Sequence, residues 1–146
     1  MPIRPQHRWL YPIDWPQLSA MIRFTRAKGR CEQCGRPHGQ LVHHLGDGRW
    51  WDEEHKVWRN GRGRVLVSLG SEPPALPSPN IRSTRVFLAT GHLDHNPGNN
   101  APRNLKAFCQ RCHMAHDRVE HQRRRWMTLR ARRALGDLFL GPYRTT

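Results

Sequence analysis

The sequence predicts an α+β fold with a small metal-stapled core, an N-terminal helix, a β-hairpin insertion and a basic C-terminal helix. Three observations lead to it. Apolar residues recur with a helical period near both ends, apolar and polar residues alternate between them, and two Cys-x-x-Cys pairs flank the alternating region. We expect one domain over 1–146, with a helical arm (1–30), a first cysteine knuckle (31–39), an insertion containing a β-hairpin and a proline-rich loop (40–80), the core (81–117) and a basic helix and tail (118–146).

The first helix is predicted over residues 14–29. Asp14 can cap it, Pro16 suits its first turn, and Gly29 is a typical stop signal. The residues that recur on one face are Leu18, Met21, Ile22 and Thr25. We therefore expect this stripe to pack on the core.

Residues 40–69 predict a β-hairpin or a small meander. Apolar and polar residues alternate around Val65, Leu66 and Val67, and Asn60-Gly61 is a strong tight-turn signal. Four prolines within residues 71–80 predict a loop. A strand is expected over residues 85–90.

The C-terminal third predicts a short strand and a long helix. The strand is expected over residues 104–108 and leads into Cys109. The helix is expected to begin at Gln110 or Arg111 and to continue to Gly136, where a cap or a kink is predicted.

The composition favours a metal-stabilised protein that binds nucleic acid. Hydrophobic residues make up only 36% of the chain, so a structural metal would help to stabilise its small core. There are 25 Lys and Arg against 11 Asp and Glu, and the net charge of +14 favours a polyanionic partner such as DNA. No segment approaches the roughly 18 apolar residues of a membrane span. The chain also opens without an apolar signal segment, so we predict a cytoplasmic protein with no membrane partner.

The four cysteines form two matched pairs, Cys31 with Cys34 and Cys109 with Cys112. Tetrahedral zinc takes four thiolates, and each Cys-x-x-Cys pair brings two of them to the same ion. Four protein ligands leave no position for water, so the pattern predicts a structural Zn²⁺. Two disulfides or an iron–sulfur cluster are the alternatives.

A histidine- and asparagine-rich motif lies just before and across the second cysteine pair. The string HLDHNPGNNAPRNL begins at His92, and CQRCH follows from Cys109 to His113. This pattern resembles the HNH, or ββα-metal, endonuclease family, especially phage and prophage members that carry a four-cysteine zinc site. The match covers about a quarter of the chain and extends to Cys31 and Cys34, which many members share.

The resemblance implies a DNA endonuclease with a ββα-metal core and a one-metal mechanism. By position, His92 would be the general base that deprotonates water, and Asn104 would orient the hairpin and the base. His113 would hold a single divalent ion such as Mg²⁺, Mn²⁺ or Ni²⁺. Nicking and double-strand cleavage both remain open.

The chain departs from the family at Gly91, where members usually carry Asp, His or Glu as a metal ligand. Asp94 lies two residues after His92 and can replace this ligand if the strand persists. In a second register Asp94-His95 is the Asp-His pair of the motif, and His95 becomes the base. The NPxNNxPxN string aligns with His92 as the base, so we favour that register and keep His95 as the alternative.

Further metal ligands are expected on the helix after His113. His116 and Asp117 lie three and four residues later, so a helix can bring them to the face of His113. Either can complete the metal shell, and Asp117 is included among the predicted ligands.

DNA contacts are predicted along the basic helix. The arginines expected to neutralise phosphates there are Arg118, Arg123, Arg124, Arg125 and Arg130. The alternative function is a zinc-dependent DNA-binding module without catalysis, acting in a phage packaging or restriction assembly. The vacant ligand position at Gly91 is its best support.

Overall fold

The structure is a computed structural model that describes residue 3 and residues 5–139. Its fold is α+β, as predicted. The strands are β1 (Leu41–His44), β2 (Trp50–Asp52), β3 (Val57–Arg59), β4 (Arg82–Arg85), β5 (Leu88–His92) and β6 (Leu105–Cys109), and the α-helices are α1 (Trp15–Ala20) and α2 (Gln110–Phe139). The chain divides into two compact units, Met1–His113 and Met114–Thr146, which are described separately.

The N-terminal helix begins where the sequence predicts and then changes its geometry. Asp14 is at the N-cap position but makes no side-chain capping hydrogen bond. After α1 the backbone continues as a π-helix over Met21–Arg26. The N–H of Ala27 bonds to the carbonyl of Ile22, five residues earlier, at 3.0 Å. The helical segment is thus shorter than predicted, and it changes from an α-helix to a π-helix after Ala20.

The π-helix changes which residues of this segment face the core. Ile22 is buried and Leu18 packs beside it, as predicted. Met21 and Thr25 are exposed. The predicted stripe was wrong at these two positions, because a π turn contains more residues than an α turn and rotates the later side chains away from the core.

Four antiparallel strands form one sheet in the order β3-β2-β1-β4. β1 pairs with β4 from Leu41↔Arg85 to His44↔Arg82. β2 pairs with β3 from Trp50↔Arg59 to Asp52↔Val57. The predicted meander is therefore present, and β4 extends it beyond the predicted hairpin.

The strand expected around residues 65–67 was wrong. Val65 makes only an isolated bridge to Arg59, and residues Val67–Leu69 form a short 3₁₀ helix. Val67 is 87% exposed, so its apolar side chain does not face a core. The alternating apolar and polar residues at 65–67 therefore do not belong to a strand with one buried face.

The strand predicted over residues 85–90 is split between two sheets. β4 ends at Arg85 and β5 begins at Leu88. Where the chain passes from β4 to β5, the N–H of Phe87 donates to Oε1 of Gln110 at 3.1 Å, and the N–H of Leu88 donates to Nδ1 of His38 at 3.0 Å. Side chains far away in the sequence satisfy these donors, so the backbone can leave one sheet and enter the other.

The second sheet is an antiparallel pair of β5 and β6, and α2 follows it directly. Its register runs from Leu88↔Cys109 to His92↔Leu105. The predicted strand before Cys109 and the predicted helix start at Gln110 are confirmed. His92 is therefore at the end of the first strand, and His113 is in the first turn of the helix.

Two buried clusters hold the first unit together. One contains the four cysteines with Val42, Trp50, Val86, Leu88 and Phe108. The other contains Ile22, Leu105 and Ala107, against which Trp15, Leu18 and Ala27 pack. Both sheets and the N-terminal helix contribute to these clusters, so the cysteine site is part of the core.

The second unit consists of the remainder of α2 as far as the structure describes it. The helix runs through Gly136 to Phe139, so it does not end at Gly136 as a cap there would require. The tail at 140–146 lies outside the described residues. Among the helices that are described, none combines the length and the apolar character needed to cross a membrane.

Candidate functional site

The four cysteines converge on one buried point. Each is at most 4% exposed, and all are free thiols. Their sulfur atoms lie within 4.8 Å of one another, and Sγ of Cys34 is 3.6 Å from Sγ of Cys109. Tetrahedral Zn–S bonds of about 2.3 Å place sulfur atoms about 3.8 Å apart. The cluster therefore has the ligand type, number and spacing of a structural zinc site.

Short-range geometry builds the first cysteine pair into a knuckle. The N–H of Gly35 donates to the carbonyl of Cys31 at 2.8 Å, and the N–H of Cys31 donates to the carbonyl of Arg36 at 2.9 Å. Gly35 has a φ of +80°, which a glycine adopts without strain. The knuckle therefore turns back on itself and directs both sulfur atoms inward.

Glu32 and Arg26 connect the knuckle to β6, a link that the sequence analysis did not predict. The backbone N–H of Ala107 donates to Oε2 of Glu32 at 2.7 Å. Arg26 forms a bidentate pair with Glu32, with distances of 3.1 and 2.8 Å, and also donates to the carbonyl of Leu105 at 2.6 Å. This salt bridge joins the π-helix, the knuckle and the strand that leads to the second cysteine pair.

His92 is held in one orientation by Asn100. Nε2 of His92 lies 3.0 Å from Oδ1 of Asn100. Nδ2 of Asn100 donates to the carbonyls of Leu10 and Pro97 at 3.0 and 3.1 Å, so its Oδ1 is assigned as the acceptor toward His92. Nε2 of His92 therefore carries the proton in the neutral ring, and Nδ1 is the basic nitrogen.

Two aromatic rings enclose His92. The ring of Trp15 stacks on it with centroids 5.4 Å apart and an interplanar angle of 9°. The ring of Tyr11 approaches edge-on at 5.7 Å. Burial raises the pKa of Tyr11 above its ordinary value, so this residue stays a neutral phenol. Neither ring was predicted to belong to the site, because both are far from His92 in the sequence.

Asp94 and Asn104 organise the loop between β5 and β6. Nδ2 of Asn104 donates to Oδ1 of Asp94 and to the carbonyl of Asn99, both at 2.8 Å, and Oδ1 of Asn104 accepts from the N–H of Asp94 at 3.2 Å. Asn104 thus links Asp94 and Asn99 within the loop. The hydrogen bond to the ring of His92 comes from Asn100, although the sequence analysis had given the orientation of the base to Asn104.

The carboxylate of Asp94 is occupied with hydrogen bonds from the loop. Besides Asn104, it accepts from the N–H of Asn96 at 2.9 Å and from Nδ2 of Asn99 at 2.7 Å. These donors, the side chain of Asn104 first, lower the pKa of Asp94 to about 2. Asp94 is thus a loop-organising anion in this structure, and its predicted role as a metal ligand remains a prediction.

Gly91 brings the backbone of β5 close to His113. A Cβ at residue 91 would lie 3.3 Å from Nε2 of His113 and 3.0 Å from Cδ2 of Phe108. A side chain at this position would therefore start beside the imidazole of His113. Residue 91 thus lies beside the helix histidine, and as a glycine it offers no side-chain ligand atom.

His95, the alternative base, lies just beyond the strand. Its N–H donates to the carbonyl of His92 at 3.3 Å, and its φ of +58° is in the left-handed region. The side chain is half-buried. β5 ends at His92, so Asp94 and His95 belong to the turn and not to the strand face that the sequence analysis considered.

The remaining predicted residues lie on α2 in the second unit. Asp117 is half-buried, and Arg118 and Arg125 are exposed. Glu120 pairs with Arg124 at 2.7 Å and with Arg123 at 3.4 Å. The guanidinium of Arg130 lies 4.3 Å from the ring centroid of Trp126. Two of the predicted phosphate contacts are therefore partly neutralised by an acid on their own helix.

No family model, curated protein or solved structure matches this chain.

Proposed function

We propose that this protein is a metal-dependent endonuclease of the HNH type that hydrolyses phosphodiester bonds of double-stranded DNA. One observation carries the proposal, the placement of His92 and His113 near the end of β5. His92 ends the strand in a fixed orientation, and Nε2 of His113 lies against the backbone of Gly91 beside it. The net charge of +14 supports a polyanionic substrate.

His92 is the general base in this proposal. Because its Nε2–H donates to Asn100, Nδ1 is the atom that takes a proton from the attacking water. Asn100 continues to accept from Nε2 when the ring becomes an imidazolium. The stacked indole of Trp15 presents its electron-rich face to that cation. This surrounding suits a ring that gains and loses a proton in each turnover.

His113 is the proposed protein ligand of the catalytic ion. When bound, a divalent ion such as Mg²⁺, Mn²⁺ or Ni²⁺ polarises the scissile phosphate and stabilises the leaving 3′ oxygen. Within the described part of the first unit, the cysteines are the one group of three or more candidate ligands within 4.8 Å of one another. His113 would therefore hold the ion together with water, substrate phosphate or the predicted ligands Asp94 and Asp117.

The cysteine cluster is proposed to position this catalytic histidine. His113 directly follows Cys112, so a zinc ion held by the four thiolates would fix the first turn of α2 and the direction of the His113 ring. The zinc has no open coordination position in this arrangement, so its part is structural.

The second candidate function is a zinc-dependent DNA-binding module without nuclease activity. Gly91 favours it, because the residue that faces Nε2 of His113 supplies no ligand atom. In that case the protein would contribute DNA binding to a packaging or restriction assembly. Both candidates need zinc and both bind DNA, so only cleavage separates them.

A nicking assay on supercoiled plasmid tests the proposal. The zinc-loaded protein is assayed with Mg²⁺, Mn²⁺, Ni²⁺ or Co²⁺, alongside His92→Ala, His113→Ala and His121→Ala. We expect at least a ~10²-fold loss of cleavage in the first two variants, the effect of removing a general base or the ion that it works with. His121 is exposed on α2 and serves as the matched control, with wild-type activity expected.

Two outcomes would contradict parts of this scheme, and a third would call for another variant. Wild-type protein that binds DNA but nicks nothing with any of the four ions would leave the binding module as the function. Cleavage that survives His92→Ala but not His95→Ala would move the base to His95. Loss of zinc or of folded structure in His92→Ala would make its inactivity uninformative about the base, and His92→Gln would then replace it.

A further inference from the structure

Three guanidinium groups converge on the turn between β1 and β2, at residues 46–48. Cζ of Arg82 lies 3.8 Å from the position of a Cβ on Gly46. A Cβ on Gly48 would collide with Nη2 of Arg111, so a side chain there would displace the guanidinium. Nη2 of Arg36 donates to the carbonyl of Gly48 at 3.4 Å. We call Arg36, Arg82 and Arg111 the arginine cluster.

Arg111 is held against a second turn as well. A Cβ on Gly61, in the turn after β3, would lie 3.0 Å from Nη1 and 3.1 Å from Nη2 of Arg111. The flat guanidinium therefore lies along the backbone of two turns that both have glycine at the contact. This packing restricts the side chain and lowers the entropy lost when it binds an anion.

Arg36 is buried without adequate partners. The residue is 6% exposed, its Nε has no hydrogen-bond partner, and the donation from its Nη2 to the carbonyl of Gly48 is long. Its guanidinium also lies 6.0 Å from the ring centroid of Trp50. A buried cation with an unmet donor is costly unless an anion approaches it.

Acidic residues do not neutralise this cluster. Among the described residues, no carboxylate forms an ion pair with Arg36, Arg82 or Arg111. Asp47, in the same turn, pairs with Arg49 at 2.6 Å. The pKa of His44 is lowered, by burial first and then by the charges of the three arginines. The turn therefore concentrates positive charge that the protein itself leaves uncompensated.

We propose that the arginine cluster is a phosphate-binding site that holds the DNA backbone at the β1–β2 turn of the four-stranded sheet. Guanidinium groups bind phosphate oxygens through paired N–H donors, and two exposed arginines beside a buried one present such donors together. The identification of the phosphate as DNA rests on the proposed function. None of its three arginines is among the DNA contacts predicted on α2.

Duplex binding by charge-matched double variants tests this proposal. The zinc-loaded protein, without added catalytic ion, is titrated with a duplex of about 20 base pairs over a range of salt concentrations. Arg82→Gln with Arg111→Gln removes two charges from the cluster, and Lys28→Gln with Arg62→Gln removes two exposed charges elsewhere in the same unit. We expect the slope of log K against log salt to fall by about 2 in the cluster variant and to change less in the control.

The cluster proposal and the nuclease proposal fail separately in this experiment. Equal slopes for the two double variants would overturn the phosphate site, even if the wild type cleaves DNA. A cluster variant that loses zinc would assign the arginines to the thiolate cluster and would also overturn it. Inorganic pyrophosphate should compete with the duplex more weakly for the cluster variant than for the control, and equal competition would count against the site. A wild type that binds with the expected slope but cannot cleave would overturn only the nuclease.

Discussion

Asn100 and His92 form a hydrogen bond of 3.0 Å in which the amide oxygen is the acceptor, because the amide nitrogen already donates to two carbonyls. This bond selects one tautomer of His92. Asn100 therefore sets which nitrogen of His92 is basic, although Asn100 itself is not a proposed contact of the substrate.

Replacing Asn100 with Ala should reduce cleavage by about 10-fold to 100-fold, because His92 loses the acceptor that orients it. Asn100→Asp keeps an acceptor for His92 but sets a carboxylate oxygen against the carbonyls of Leu10 and Pro97, so it should retain more activity than Asn100→Ala and less than the wild type. Its carboxylate also favours a protonated ring, so the acidic limb of the pH–rate profile should move to higher pH. Initial nicking rates from mildly acidic to mildly alkaline pH provide both measurements. Equal loss in both variants with an unmoved profile would indicate a purely structural role.

Asp94→Ala should lower the proposed cleavage by loosening the loop, and a loss that excess Mn²⁺ does not restore would reflect the loop alone. The wild-type carboxylate accepts three hydrogen bonds from the loop, which this change removes together. The pKa of Asp94 is lowered to about 2, so its contribution to folding is present above the ordinary carboxyl range and is lost as the pH falls through about 2. Cleavage near neutral pH should therefore show no titration of Asp94. Partial rescue by Mn²⁺ would instead identify it as a metal ligand.

Purified protein should contain close to one zinc per chain, measured by elemental analysis. Cys109→Ser should lose the zinc and unfold, because Cys109 is 1% exposed and lies in the same core cluster as Trp50 and Val86. Circular dichroism in the presence of a chelator should show the same loss in the wild type. Folded, fully reduced protein without zinc would contradict this prediction.

Asp52→Asn should destabilise the fold by about 3 kcal/mol, since it breaks a buried charge network. Asp52 is 1% exposed and accepts from Nε of Arg59 at 2.7 Å and from Nδ1 of His55 at 2.8 Å. Burial alone would raise the pKa of Asp52, but these donors outweigh it and the net shift is downward. The carboxylate therefore stays charged at neutral pH. Urea unfolding at neutral pH measures the effect, with Asp47→Asn as an exposed control that should change little.

The features that the sequence predicted correctly are those set by short spacing. Each Cys-x-x-Cys pair, the strand before Cys109 and the helix start at Gln110 depend on neighbours in the chain, and all of them are present. The same is true of Asn60-Gly61, where Oδ1 of Asn60 accepts from the N–H of Arg62 at 2.8 Å and closes the turn.

The features that it missed depend on contacts between distant segments. Trp15 and Tyr11 enclose His92 only because the N-terminal helix packs beside β5, and no local pattern encodes that contact. The split of the predicted strand at residues 85–90 depends on His38 and Gln110, which satisfy the backbone at the crossing. The π-helix likewise has no spacing signal, so the exposure of Met21 could not be anticipated.

Trp50 has a consequence for how quickly the proposed metal could be exchanged. Its indole is 0% exposed, belongs to the cysteine cluster, and has Cζ2 3.7 Å from a Cβ position on Gly35 in the knuckle. The sheet inserted between the two cysteine pairs thus supplies a hydrophobic cover for the sulfur atoms. Chelators and oxidants can reach those atoms only when the sheet opens locally, so the lifetime of the bound metal should follow the opening rate of β2 and not the concentration of the competing reagent.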